Sequence, residues 1–228
     1  SRGLGLEFTR QYLADGWDVH ACARDLGKGE LASLKAKYPA QLSAHKLDVT
    51  DHAAIKALST ELKSLALDVL LNNAGIYGPT GFDGQGQNLE SMDADLWARV
   101  LSTNTIAPYK MTQAFLPQLQ KGKNPRAVFI TSKMGSITEM KNSGMVSTAY
   151  QSSKAALNMA GVCLATELKP KGVAVILLHP GWVQTDMGGS EAPLQPEEAV
   201  SGMRQVIDKS TLRDTASFRD YQGKALPW

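Results

Sequence analysis

Tyr150 and Lys154 stand four residues apart in a stretch that reads as helix, Thr-Ala-Tyr-Gln-Ser-Ser-Lys-Ala-Ala-Leu. On a helix that spacing puts both side chains on one face, so the ammonium can approach the phenol. A phenol titrating near 10 exchanges protons poorly at neutral pH, but an opposite charge a few ångström away lowers a pKa by roughly 1–3 units. The pair is therefore a candidate general acid or base. Tyrosine and lysine four apart also occur on ordinary exposed helices, so the surroundings decide.

Three other segments end where such a pair could be used. An apolar run closes on Asn72-Asn73-Ala74-Gly75, which serves either as a ligand edge or as a well hydrogen-bonded turn. The run from Ala127 to Ile130 ends in Thr131-Ser132-Lys133-Met134-Gly135, bringing a serine hydroxyl to the same edge. The run from Val173 to His179 delivers Pro180-Gly181, then Val183 and Thr185. Ser136 competes with Ser132, lying 14 rather than 18 residues before Tyr150. Ser132 is preferred because it sits in the Ser-x-x-Gly turn that ends the strand, and strand ends hold groups more rigidly than loops do.

The opening Ser-Arg-Gly-Leu-Gly-Leu-Glu has the look of a glycine-rich loop running into a helix. Gly3 and Gly5 there would let backbone N–H groups approach a pyrophosphate at the positive helix end, or are plain turn residues. No strand precedes them, although a nucleotide-binding sheet would place one there, so a first strand and a first loop glycine are expected to be missing from the sequence. About twenty residues on, a strand ends at Ala23-Arg24, where such folds discriminate at the ribose 2′ position. A carboxylate would accept a free 2′-hydroxyl, whereas a guanidinium pairs with a 2′-phosphate. Arg24 and Arg2 converging on one phosphate favour NADP(H) over NAD(H), with Asp25 arguing the other way. Asp48 meets an adenine or caps a helix, and Val49 follows it.

These positions need a scaffold, and the pattern supplies one. Short β-branched runs at 18–23, 42–47, 68–72, 127–132, 173–179 and, more weakly, 217–221 alternate with amphipathic stretches at 5–14, 29–37, 51–64, 93–120, 148–168 and 196–208. That alternation predicts an α/β, Rossmann-like, doubly wound parallel sheet with helices on both faces. Residues 78–87, with four glycines and a proline, read as loop, as do 138–147. A length of 228 residues suits one domain over the whole chain, burying roughly 70–75% of its unfolded surface.

A formal net charge of +2 leaves no field that calls for nucleic acid or an anionic membrane. No apolar run approaches the roughly 20 residues that cross a bilayer, and no basic-then-apolar leader opens the chain. Cys22 and Cys163 are too few for a disulfide framework, which points to the cytoplasm. His20, His45, His52 and His179 show no metal-ligand spacing, so no metal is expected. Trp97, Trp182 and the methionines read as core or interface.

Taken in order, Ser1 to Gly5, Asp48, Asn72 to Gly75, Asn104, Ser132, Tyr150 with Lys154, and Pro180-Gly181 with Thr185 resemble the short-chain dehydrogenase/reductase family over essentially the whole chain. Ser-Lys-Met-Gly-Ser-Ile and the ending Tyr-Gln-Gly-Lys-Ala-Leu-Pro-Trp are similar to the sniffer and C-factor group of carbonyl reductases. The resemblance implies an NADP(H)-dependent oxidoreductase moving a hydride between nicotinamide and a small carbonyl or alcohol substrate. It implies that Tyr150 exchanges the proton with the substrate oxygen, Lys154 lowers its pKa and holds the nicotinamide ribose, Ser132 bonds the substrate oxygen, and Asn104 supports a water relay. It further implies a cofactor site drawn from Arg2, Gly3, Gly5, Arg24, Asp48, Val49, Asn73, Ala74, Gly75, Tyr150, Lys154, Pro180, Gly181, Val183 and Thr185. Only Met187 to Gln195 separate Thr185 from the next helix, so the substrate lid is small.

Two other readings compete. A dinucleotide-binding sensor of the C-factor type would keep the fold without turnover, though it has no need of a proton donor. A sugar-nucleotide epimerase needs a larger substrate domain than this length allows. The helices at 93–120 and 148–168 are the surfaces by which relatives pair, giving an expected homodimer or homotetramer.

Overall fold

The computed structural model describes residues 1–26, 29–78 and 87–228; most of the expected 78–87 loop lies outside them. The chain opens on helix α1 (Gly3–Ala14), then alternates β1 (Val19–Ala23), α2 (Glu30–Lys37), β2 (Leu42–Lys46), α3 (His52–Glu61) and β3 (Val69–Asn72). Next come α4 (Ala94–Leu101), α5 (Ala107–Leu119), β4 (Arg126–Ile130), the single turn α6 (Ile137–Met140) and the long α7 (Thr148–Leu168). β5 (Ala174–His179), α8 (Pro196–Lys209) and β6 (Ser217–Asp220) complete it.

Local chemistry accounts for the ends of these elements. The Asp51 carboxylate accepts from the Ala54 N–H at 2.9 Å and caps α3, and Asp93 does the same for α4 through Asp95. Pro196 opens α8 with Glu197 and Glu198 at its positive end and Lys209 at its negative end.

All strand pairs are parallel, as the βα alternation requires. The expected single sheet is found in two parts, β1–β2 and β3–β4–β5–β6. Residues 1–18, which contain α1, provide no strand that could bond to both β1 and β3. Hydrophobic packing bridges the parts instead: Val19 of β1 and Val69 and Leu71 of β3 rest on one cluster with Phe8 and Tyr12 of α1 and Val200, Met203 and Ile207 of α8.

Residue alternation along β5 sorts the core. Ala174, Ile176 and Leu178 join the α1/α8 layer, whereas Val175 and Leu177 join the layer containing Phe115 of α5 and Leu157 and Leu164 of α7. Both faces are thus covered, and the functional turns emerge at the carboxyl ends of β3, β4 and β5.

The predicted helix over 93–120 is two helices joined by a π turn at Ser102–Ile106. Pro108 has no N–H to return to the carbonyl of residue 104, so a regular turn cannot close there. α6 likewise replaces part of the expected 138–147 loop, because the buried Ser136 hydroxyl accepts from the Glu139 N–H and starts a turn.

α7 seats closely on β5: a Cβ at Gly161 would stand 2.8 Å from Leu177 Cδ2. Leu177 is fully buried, and Leu177→Ala is expected to lower unfolding free energy by about 2–5 kcal/mol, read by urea denaturation. A loss under about 1 kcal/mol would mean that this helix–strand contact is not tightly packed.

Candidate active site

α7 carries Tyr150 and Lys154 on the face turned toward β4, and both are buried. The Lys154 ammonium donates to the Ile130 carbonyl at 2.9 Å, at the last residue of β4. One turn further, a 3₁₀ segment Lys133–Gly135 begins with Ser132, whose hydroxyl accepts from the Met134 N–H at 3.1 Å. That segment presses directly on α7: a Cβ at Gly135 would lie 2.6 Å from the Lys154 carbonyl carbon. Only glycine permits the approach, which sets Ser132 beside the Tyr150 phenol, where its hydroxyl acts to lower the phenol's pKa. Ser136, the rival serine, is occupied as the cap of α6.

The π turn supplies the next group. Asn104, wholly buried, accepts the Ile76 N–H at 2.8 Å, and its amide donates to the Ile76 carbonyl at 2.8 Å and to Ser153 Oγ at 3.0 Å. Ser153 in turn donates to the Tyr150 carbonyl at 2.7 Å. Both amide hydrogens of Asn104 are therefore spent, and only a second lone pair on Oδ1 is left for a water to donate to. A π turn at such a position is a recurrent feature of functional sites, since it re-aims one side chain without ending the helix.

Around the phenol the walls are apolar. Tyr77 packs against Tyr150 with ring centroids 4.6 Å apart and planes tilted by 39°, and Met134, Met140 and Met187 pack on the same cluster. Neither Tyr77 nor Gln87, discussed below, was picked out from the sequence; Tyr77 follows the Asn72 to Gly75 turn by only two residues but belongs to no recognisable motif.

The electrostatics depart from expectation. Burial pushes the Tyr150 phenol up to about 12, with Ser132's hydrogen bond opposing and the neighbouring Tyr77 adding to the rise. Lys154 does not hold the phenol down here. Its own ammonium is pulled down to about 8 by burial, and it lies 5.7 Å from the centroid of the tyrosine ring. Desolvation of two neighbouring groups outweighs their mutual attraction.

At the start of α1, Gly3 takes φ +52°, and a Cβ there would sit 3.5 Å from Thr185 Cγ2, so the turn after β5 lies beside the helix start. A Cβ on Gly5 would come 2.7 Å from Asn73 Nδ2. Gly75 borders Asn104 Oδ1 and Lys154 Nζ, while Ala74 is exposed. Gly181, at φ +85°, packs on Leu194 and Tyr221 beyond Pro180, and the buried Val183 bridges to Leu194.

A family model described as short chain dehydrogenase matches residues 1–195. The chain belongs to the short chain dehydrogenase family. It is 41% identical to C-signal of Myxococcus xanthus over 174 residues, 76% of this chain and all of that one. Two solved structures superpose with TM-scores of 0.89 over the whole chain: an NADPH-bound carbonyl reductase from chicken fatty liver (34% identical, 95% of its length) and the carbonyl reductase Sniffer of D. melanogaster (29% identical, 96% of its length).

The dehydrogenase fold brings Asn104, Ser132, Tyr150, Lys154, Asn73, Gly75, Gly3, Gly5 and Thr185 to one edge. The two arginines expected to meet at one phosphate are engaged separately. Arg2 bonds Asp186 at 3.0 Å, an exposed pair, and Arg24 is exposed near Asp48. Asp48 accepts from Thr50 N and Oγ1 at 2.9 and 2.7 Å, which lowers its pKa, so it caps its own turn while Asp51 caps the helix. Val49 packs on the core.

The buried lysine has a consequence for stability. Between pH 8 and 10.5 the unfolded chain keeps a proton that folded Lys154 has released, so this group makes stability rise with pH across that window. In urea unfolding at a series of pH values, the difference between the wild type and Lys154→Met should climb from pH 8 to 10; parallel curves would contradict a depressed ammonium.

Proposed function

We propose that this dehydrogenase reduces a small carbonyl compound, or oxidises the corresponding alcohol, with NADP(H). The observation that carries this reading is the buried triad of Ser132, Tyr150 and Lys154 at the carboxyl edge of β4.

The chain's own residues fit such a cofactor. α1 begins with Arg2 at its cap, no side chain fills the cap, and no carboxylate stands in its first turn, so its free N–H groups and positive end suit a pyrophosphate. Gly5 against Asn73 leaves no room for a side chain between helix start and strand end. Arg24 would pair with a 2′-phosphate, Asp48 and Val49 would flank the adenine, and Asn73, Ala74, Gly75, Pro180, Gly181, Val183 and Thr185 would line the remainder. Arg2 would join by exchanging Asp186 for the phosphate. The cofactor supplies the hydride.

The protein's part is positional and protonic. A phenol near 12 keeps its proton at neutral pH and can deliver it from Oη to the carbonyl oxygen as negative charge develops there. The Ser132 hydroxyl, beside that phenol, would orient the same oxygen. Lys154, still protonated below about 8 and 5.7 Å from the centroid of the tyrosine ring, would offer positive charge to the phenolate left behind. Tyr77, Met134, Met140 and Met187 suit the apolar body of the substrate, with methionine accommodating more than one shape.

A second reading is favoured by one observation, the 41% identity to C-signal: a dinucleotide-binding signalling protein with little turnover. The homodimer or tetramer expected from relatives would cover Ile106 and Met159, which are exposed at the π turn and on α7.

Titration with NADPH and NADH followed by fluorescence, then a panel of aldehydes and ketones read at the nicotinamide absorbance, tests the proposal. NADPH should bind more tightly, Arg24→Ala should weaken NADPH by about 10–100-fold while sparing NADH, and Tyr150→Phe should cut turnover by about 10²–10⁴-fold. Binding without turnover on every carbonyl favours the signalling reading, and equal affinity for both cofactors would sink the NADP(H) assignment.

A further inference from the structure

We propose that Gln87 is a positioning residue for the proton-donating phenol, acting as a remote cap on the helix that carries Tyr150. The inference rests on the reading of Tyr150 as proton donor.

α7 starts at Thr148 after Ser147, a residue type that ordinarily caps a helix with its own hydroxyl. Here that hydroxyl makes no capping bond and is paired with the Tyr77 hydroxyl instead. The first N–H groups of the helix are met from elsewhere in the chain. Thr148 N–H donates to the Gln87 main-chain carbonyl at 3.0 Å, and Tyr150 N–H donates to Gln87 Oε1 at 3.0 Å. From its other end the same side-chain amide donates to the Tyr77 carbonyl at 2.9 Å. Gln87 is only 1% exposed, so each lost bond would leave a buried polar group unpaired. Gly78 makes room for it, since a Cβ there would come within 2.6 Å of Gln87 Nε2.

One amide therefore ties the backbones of two residues whose rings are in contact, Tyr77 and Tyr150, to each other. Asn104 does the parallel job one residue and one turn away, holding Ile76 on one side and Ser153 of α7 on the other. Asparagine at 104 and glutamine at 87 are the same device, an amide that both donates and accepts. A carboxylate in place of Gln87 would still accept from Tyr150 but would face the Tyr77 carbonyl with an oxygen rather than a donor. A protonated carboxyl would restore the donor.

The test is a set of four proteins, Gln87→Leu, Gln87→Glu, Tyr150→Phe and the Gln87→Leu/Tyr150→Phe pair, measured for NADPH affinity and for carbonyl reduction, with single-turnover assays for the slow forms. Gln87→Leu should lower kcat by about 10²-fold while the Kd for NADPH stays within about twofold. In the Tyr150→Phe background the same change should have almost no effect, because a residue acting through the phenol has nothing left to position. Gln87→Glu should be impaired at neutral pH and recover toward wild-type kcat as pH falls and the buried carboxyl takes up its proton. Should Gln87→Leu fail to fold, the pH profile of Gln87→Glu decides. Full kcat in both Gln87 variants, or an equal loss in the Tyr150→Phe background, overturns the proposal alone. Full turnover in Tyr150→Phe overturns the proton-donor reading and this proposal with it.

Discussion

The Lys154 ammonium, buried and donating to the last carbonyl of β4, sits where α7 crosses the end of the strand, and the arrangement of the site follows from keeping it there. Removing a charge from water is costly unless hydrogen bonds replace the lost hydration. Here the replacement must come from a strand end, so α7 has to lie close to β4. Gly135 allows the 3₁₀ turn to touch the helix backbone, and Gly161 lets the helix settle onto β5. A helix so seated carries Tyr150 to Ser132 as a by-product of burying its lysine.

Burial at this place works on both partners at once. The phenol is driven up and the ammonium down, the opposite of what two exposed neighbours of this kind would do to each other. The phenol thus holds its proton firmly, and burial draws the lysine down to about 8. Such opposed shifts in one cluster are the physical mark by which functional sites stand out from ordinary cores.

Amides complete the frame. Asn104 enters through a π turn just before Pro108, and Gln87 enters from a segment with no recognisable pattern of its own. Each bonds the backbone of the Ile76-Tyr77 stretch and reaches α7, Gln87 at the Tyr150 N–H and Asn104 at the Ser153 hydroxyl, so that short stretch is fixed between them. The apolar surroundings of Tyr150 thereby rest on hydrogen bonds that lie outside the reacting groups.

The alternation of β-branched runs with amphipathic stretches, the Tyr150/Lys154 spacing, Ser132 in its Ser-x-x-Gly turn and the small residues at 72–75 and 180–181 were legible because each is a local pattern with a local physical cause. The strands and most helices appear within a few residues of where those patterns put them. The π turn within 93–120 was not legible, because a proline inside a helical run, as at Pro108 and again at Pro117, does not by itself say where the turn widens. What only the tertiary structure decided is long-range: the division of the sheet into two parts, the separate surroundings of Arg2 and Arg24, the reversal of the expected pKa shift, and the contacts of Tyr77 and Gln87. These depend on desolvation and on hydrogen bonds between residues far apart in the chain, and neither quantity is a property of any local run of residues.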